Sequence, residues 1–204
     1  MPLTDLVITH LRRRFEQVEG RIPYLYRDTK GFITIGIGCR VPTAEDAKAL
    51  PLQNSATHLP ATATEKAEEW KSIHEQKFGQ TVTAQSFSKV AKLTLPDPDI
   101  DLLFKKRVLE FDASLRSIFG AKYDTFPDPA REALLDMIFN LGKYGLLHFT
   151  EFIKLVQAED VDWAAAAPQS HRLKVGSRNK LVSDLLLQAA ALKAATPKNK
   201  PVPI

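Results

Sequence analysis

Apolar residues recur at helical spacing over most of the chain. Leu3, Val7, Leu11, Phe15 and Val18 follow one another at steps of four, four, four and three residues, which predicts an amphipathic helix over about 4–18. A threonine at position 4 is placed to cap it. Similar stripes predict further helices at about 65–78, 97–118, 128–142, 146–158, 161–167 and 178–193, the second and third starting at Asp97-Pro98 and Asp128-Pro129 with the aspartate as N-cap.

Two runs near the N-terminus have a strand pattern instead. Residues 22–27 and 32–37 are rich in aromatic and β-branched side chains, and Asp28-Thr29-Lys30-Gly31 between them suits a tight turn, so a β-hairpin is predicted. Over about 42–64 the apolar residues follow neither helical nor strand spacing, so this segment is expected to be irregular. The exception is a short helix predicted at 44–50. One hairpin followed by helices predicts an α+β, mostly helical fold.

The length of 204 residues suits one domain with two lobes. We expect a single domain over 1–193, with a hairpin lobe at about 20–97 and a helical lobe at about 1–19 and 120–193, joined by the long helix that starts at residue 97. A disordered tail is predicted for 194–204, which contains three prolines and two lysines.

Composition excludes several classes of protein. No apolar run approaches the roughly 20 residues of a membrane span. A single cysteine, Cys39, excludes an internal disulfide framework and a zinc site with several thiolates. The first residues lack a secretion-signal pattern, because arginines occupy positions 12–14, so synthesis in the cytoplasm is expected.

Positive charge is concentrated at the C-terminal end. From Gln169 to Ile204 there are seven basic residues and one acidic residue, Asp184. Such a stretch would attract nucleic acid, anionic lipid or acidic envelope polymers, or would be a solvated helix face with a loose tail. We expect no nucleic-acid partner, since no aromatic residue follows Trp163 to stack on bases.

Three polar residues suggest chemistry. Glu19 ends the first predicted helix, Asp28 lies nine residues later in the hairpin turn, and Thr34 follows after six more on the returning strand. All three could face one cleft, and two carboxyl groups across a cleft are what glycoside hydrolysis requires. The alternative is a set of solvated surface groups.

The sequence around these three residues favours a catalytic site over solvated surface groups. Glu19-Gly20, followed by YRDTKGFITIGIG over residues 26–38, closely resembles the active-site segment of phage-type lysozymes, the muramidases typified by T-even phage lysozyme. Segment 133–150 resembles the core helix of that family and the turn after it, and residues 162–165, Ser170 and 176–179 resemble its C-terminal lobe. The resemblance covers about 4–40 and 97–190, and it implies a lysozyme-like fold.

The resemblance also implies a reaction. An N-acetylmuramidase would cleave the β-1,4 bond between N-acetylmuramic acid and N-acetylglucosamine with inversion, without cofactor or metal. Glu19 would be the general acid, Asp28 and Thr34 would hold the attacking water, and Arg178 would orient Glu19. Asn140 would border the substrate or bridge neighbouring backbone.

The motif's glycines have two interpretations. Gly38, like Gly31 and Gly36, would allow a tight turn or the close approach of a strand or of sugar, or would be an ordinary bulge glycine.

Two features depart from the family. Cys39 stands where a histidine is usual, and we expect it to be a small buried residue. Segment 41–95 is longer than its phage counterpart and dissimilar to it, which favours a bacterial-genome member. Its His58 and His74 lack metal-ligand spacing and are expected at the surface.

Other functions remain open from the sequence. A lytic transglycosylase would need one acid only, and a peptidoglycan-binding module would need none of the three residues. A muramidase would act in the periplasm or on the cell wall, as a secreted antibacterial effector with a cognate immunity protein or as an endolysin. We expect a monomer without stable membrane insertion.

Overall fold

The computed structural model describes residues 3–171 and 176–195. Over these residues the chain is mostly helical, with a few short antiparallel strands, which confirms the predicted α+β class. The chain divides into two compact units. We call residues 9–107 the hairpin unit, and residues 1–8 with 108–204 the helical unit.

Helix α1 spans Asp5–Glu19. The predicted cap is confirmed, because Thr4 Oγ1 accepts a hydrogen bond from Val7 N at 3.3 Å. The apolar stripe is buried from Leu3 to Phe15, but Val18 is 62% exposed, so the stripe ends one turn earlier than predicted.

The predicted hairpin is confirmed and belongs to a larger sheet. Strand β1 (Ile22–Arg27) pairs antiparallel with β2 (Ile33–Gly36), and β2 pairs antiparallel with β3 (Cys39–Arg40). The third strand was not predicted. Gly36 and Gly38 have φ angles of 67° and 64°, which let the chain reverse where the apolar pattern reads as one continuous strand.

Segment 41–95 is more ordered than predicted. It contains α2 (Ala44–Lys48), β4 (Gln53–Asn54), α3 (Ala63–His74), a 3-10 turn at Ala84–Lys89, and β5 (Leu93–Thr94), which pairs antiparallel with β4. The prediction of a largely irregular stretch up to residue 64 is therefore wrong in part. Capping boxes formed by Thr43 with Asp46 and by Thr62 with Glu65 start the two helices, and both follow the sequence rule for such boxes.

A buried carboxylate anchors β5 to α3. Glu69 is 5% exposed, and its Oε1 accepts hydrogen bonds from Lys92 N at 2.8 Å and Leu93 N at 3.1 Å. Burial raises the pKa of Glu69 despite these two hydrogen bonds. The protonated form is therefore the one that the fold favours.

Helix α4 spans Asp97–Phe119, and its residues 97–107 belong to the hairpin unit. The prediction that Asp97 caps this helix is wrong: Asp97 is already helical, and its Oδ1 accepts from Arg21 Nε at 2.7 Å. Arg21 Nη1 also donates to Asp101 Oδ1 at 2.8 Å. This arginine therefore ties the start of β1 to the first turn of α4.

The helical unit continues with α5 (Asp128–Leu147), α6 (Thr150–Gln157), α7 (Trp163–Gln169) and α8 (Gly176–Ala195). Helix α5 is buried from Ala130 to Ile138 and packs against α8. Its N-cap is Pro127 rather than the predicted Asp128, with no side-chain cap. At Gly142 the backbone leaves helical geometry (φ 69°, ψ 172°), where the helix was predicted to stop, but helical hydrogen bonding resumes up to Leu147.

The end of α8 and the lengths of the helices test two further predictions, the disordered tail and the absence of a membrane span. Ala194 and Ala195 lie in α8, so the tail predicted from residue 194 starts too early, and 196–204 lie outside the described residues. Among the described helices, none is both long enough and apolar enough to span a bilayer.

The raised pKa of Glu69 predicts a pH-dependent stability. Because folding favours protonated Glu69, its stabilising contribution is present at low pH and is lost as the pH rises through the raised pKa. Glu69→Gln keeps the Oε1 acceptor without the charge, so its thermal midpoint should exceed that of the wild type at pH 8 by about 2–4 °C and match it near pH 4. Thermal melts by circular dichroism measure this.

The matched control is Glu68→Gln, which removes the same charge from an exposed position on the same helix. It should leave the pH profile unchanged. A lower midpoint for Glu69→Gln than for the wild type at pH 8 would show that the charged form is the stabilising one.

Candidate active site

Glu19 stands at the corner between α1 and β1. It is the last residue of the helix and is half-buried. Gly20 follows with a φ of 76°, which ends the helix. The end of the helix thus sets the position of this carboxylate.

Asp28 is held by the backbone of its own turn. Its Oδ1 accepts hydrogen bonds from Lys30 N and Phe32 N, both at 2.9 Å, and its N–H donates to Phe32 O at 2.9 Å. In the described part of the chain, no residue donates a hydrogen bond to Oδ2. One oxygen therefore fixes the orientation of the carboxylate, and the other can accept a proton or a water.

Thr34 lies close to Asp28 along the same hairpin. It is 4% exposed, and its Oγ1 donates to Phe32 O at 3.3 Å, which leaves its lone pairs able to accept. Phe32 thus bonds to both residues: its N–H donates to Asp28 Oδ1, and its carbonyl oxygen accepts from Thr34 Oγ1.

Tyr26 lies on β1 beside Thr34 of β2. It is the cross-strand partner of Thr34 and is 7% exposed. Burial raises the pKa of the Tyr26 hydroxyl, and the negative charges of Glu19 and then Asp28 raise it further. Glu19 and Asp28 thus both lie near enough to Tyr26 for their charges to act on its hydroxyl, and the grouping of Glu19 with Asp28 and Thr34 in one site stays a prediction. The sequence contains Tyr26 within the motif but gives no sign of this position.

Segment 41–95 supports the turn that carries Asp28. Arg27 Nη1 donates to His74 O, in the last residue of α3, at 2.7 Å and to Gln76 O at 2.8 Å. Its guanidinium carbon lies 4.0 Å from the centre of the Phe78 ring. Sequence reasoning missed these contacts, because they join residues 47 to 51 positions apart without a periodic signal.

Gly31 is required in this turn for two reasons. Its φ is 88°, which side chains rarely allow. A Cβ atom there would also lie 2.8 and 2.9 Å from ring carbons of Phe78. Gly38, between β2 and β3, has a positive φ, which explains why a glycine occupies this position. A close approach of Gly38 to a sugar stays a prediction.

Cys39 behaves as expected. It is 1% exposed, and its Sγ lies 3.7 Å from Ile37 O. Its prediction as a small buried residue is confirmed. His58 and His74 are exposed, and no cluster of metal-ligating side chains occurs within residues 3–171 and 176–195.

Arg178 and Asn140 belong to the helical unit, where they form a cluster with Asp136. Arg178 Nε lies 3.4 Å from Asp136 Oδ1, and Arg178 Nη1 donates to Asn140 Oδ1. Asn140 Nδ2 donates to Asp136 O at 2.7 Å, so Asn140 does bridge backbone, as one of its two interpretations had it. Asp136 is 1% exposed and was not singled out in the sequence. The action of Arg178 on Glu19 stays a prediction.

Comparisons with known proteins point in the same direction as the motif. No family model matches the chain. The chain is similar to "Probable T4-type lysozyme 1" of Dictyostelium discoideum, with 22% identity over 165 residues that cover 80% of this chain and 82% of that protein. This supports a distant phage-type lysozyme-like relationship.

The contact between Gly31 and Phe78 predicts a sensitive position. Gly31→Ala should lower the free energy of unfolding by about 2–4 kcal/mol, because it combines a positive φ with a clash against the Phe78 ring, which Arg27 holds in place. Urea unfolding measures this. Gly120→Ala is the matched control, since Gly120 has a φ of +64° but nothing within 4 Å of its Cβ, and it should cost about 1–2 kcal/mol. Equal losses would contradict the clash.

Proposed function

We propose that this protein is a peptidoglycan hydrolase, an N-acetylmuramidase that cleaves the β-1,4 bond between N-acetylmuramic acid and N-acetylglucosamine with inversion. The observation that carries the proposal is that Asp28 and Thr34 both bond to Phe32, next to Tyr26, the strand partner of Thr34. The charges of Glu19 and Asp28 both raise the pKa of Tyr26, which supports a place for Glu19 beside them. The similarity to a T4-type lysozyme over most of both chains supports it.

In this proposal Glu19 is the general acid. It gives its proton to the glycosidic oxygen as the bond to the leaving sugar breaks. We assign Arg178 the role of orienting Glu19, on the family resemblance. The contacts of Arg178 with Asp136 and Asn140 would hold its guanidinium in one orientation.

Asp28 and Thr34 act together on the water. Because Oδ1 of Asp28 is occupied by two backbone amides, Oδ2 is the atom that takes the proton from water as the new C–O bond forms on the opposite face of the sugar. The Thr34 oxygen accepts a hydrogen bond from the same water. This preformed acceptor favours hydrolysis over the lytic transglycosylase reaction, which needs no water.

The proposed setting is the bacterial cell wall. The protein would be made in the cytoplasm and would act as a monomer in the periplasm. The enlarged segment 41–95, which supports the hairpin turn, favours a secreted antibacterial effector over an endolysin. A cognate immunity protein would then cover the hairpin unit in the producing cell.

Replacing the proton donor tests the chemistry. Glu19→Gln keeps the size and polarity of the side chain but removes the acid, so muropeptide release from purified sacculi should fall by about 10²–10⁴-fold. Mass spectrometry of the products identifies the reaction. Reducing-end muramic acid is expected, whereas anhydro-muramic acid would replace hydrolysis with transglycosylation.

Glu75→Gln is the matched control, since Glu75 is exposed in the same unit, and its activity should equal that of the wild type. Binding of both wild type and Glu19→Gln to sacculi without product release would leave the protein as a peptidoglycan-binding module.

The effector role has its own test. The wild type, directed to the periplasm of a Gram-negative host by an added signal peptide, should lyse the cells, and Glu19→Gln should not. Culture density and microscopy measure this. Normal growth with periplasmic wild-type protein would contradict the role, even if the purified enzyme digests sacculi.

A further inference from the structure

One face of the three-stranded sheet carries a row of side chains across all three strands. Tyr26 on β1 is paired with Thr34 on β2, and Thr34 is paired with Arg40 on β3. Paired residues of antiparallel strands present their side chains to the same face, with Cα atoms about 5 Å apart. Arg40 is therefore an immediate neighbour of the residue proposed to bind the water.

Arg40 is held in place without being neutralised. Its guanidinium carbon lies 3.9 Å from the centre of the Phe32 ring, and its backbone oxygen accepts from Arg107 Nη2 at 3.1 Å. Among the described residues, no carboxylate forms an ion pair with it, and its side chain is exposed. An aromatic ring thus fixes the direction of a cation that can still bind an anion.

Another arginine of the same unit shows the contrast. Arg21 is bonded to both Asp97 and Asp101, and its side chain is 18% exposed, so its charge is satisfied within the protein. Arg40 has the same chemistry, but its fork of N–H donors points to no acidic side chain of the described chain. An arginine in that condition suits a planar anion such as a carboxylate.

Phe32 connects this cation to the proposed catalytic groups. Its N–H donates to Asp28 Oδ1, its carbonyl accepts from Thr34 Oγ1, and its ring, 46% exposed, carries the Arg40 guanidinium. An anion bound by Arg40 would therefore lie within one or two sugar units of the attacking water.

We propose that Arg40, supported by Phe32, binds a carboxylate of the glycan substrate and makes the enzyme selective for acidic over neutral glycans. This rests on the proposed function, and it names the substrate feature recognised: the free carboxylates of the peptide that is attached to muramic acid. Arg40 is a specificity-determining residue in this scheme, and Phe32 positions it.

The test removes the negative charge from the substrate and the positive charge from the protein, one at a time. Native sacculi are compared with sacculi whose carboxylates are converted to amides by carbodiimide and ammonia, using the wild type, Arg40→Gln and Arg40→Lys. The wild type should favour native sacculi by roughly tenfold in kcat/KM, and Arg40→Gln should be equally slow on both. Arg40→Lys, which keeps the charge, should recover part of the preference.

Arg13→Gln is the matched control, because it removes the same charge from an exposed site on α1 of the same unit. It should keep the tenfold preference. Phe32→Leu keeps the charge but removes the ring, and it should lower the preference to an intermediate value. Circular dichroism melts confirm that each variant is folded.

Co-sedimentation with the two kinds of sacculi separates this inference from the proposed function. If the wild type releases no product, the hydrolase proposal fails, but its binding preference for native sacculi and the loss of that preference in Arg40→Gln still test Arg40. An equal preference in wild type and Arg40→Gln, in rate or in binding, would overturn the inference.

Discussion

The structure of the candidate site depends on a carboxylate that is bonded to its own turn. Oδ1 of Asp28 accepts two backbone amides, and the turn then places Phe32 where its peptide groups reach both Asp28 and Thr34. Without those hydrogen bonds the carboxylate would rotate freely, and the turn that joins the two strands would lose two of the contacts that hold it. The same contacts fold the hairpin and orient the group proposed to receive the proton from water.

The turn is also supported from outside, by residues distant in sequence. Arg27 reaches the end of α3 and stacks on Phe78, whose ring leaves space for no side chain at position 31. Within segment 41–95, the Glu69 carboxylate anchors β5 to α3 through two backbone hydrogen bonds, although burying this carboxylate costs free energy. Segment 41–95 therefore supports the turn on which the proposed chemistry relies.

Charge is distributed differently in the two units. In the hairpin unit, the carboxylates of Glu19 and Asp28 act on a buried phenol, while Arg40 keeps an exposed positive charge on the same sheet. In the helical unit, buried Asp136 and Asn140 hold Arg178. The orientations of Arg40 and Arg178 are thus set by different neighbours: a ring for Arg40 and polar side chains for Arg178.

Local patterns in the sequence determined the helices, the hairpin and the motif of Glu19, Asp28 and Thr34, because spacing, caps and turn residues act over a few positions. The same patterns wrongly predicted an N-cap at Asp97, because its carboxylate instead bonds to an arginine 76 residues away. The third strand, the support of the turn by Arg27 and the row that includes Arg40 were likewise decided only by tertiary structure. Such contacts depend on which distant segments pack together, and that choice follows from burial and long-range hydrogen bonding rather than from any local period.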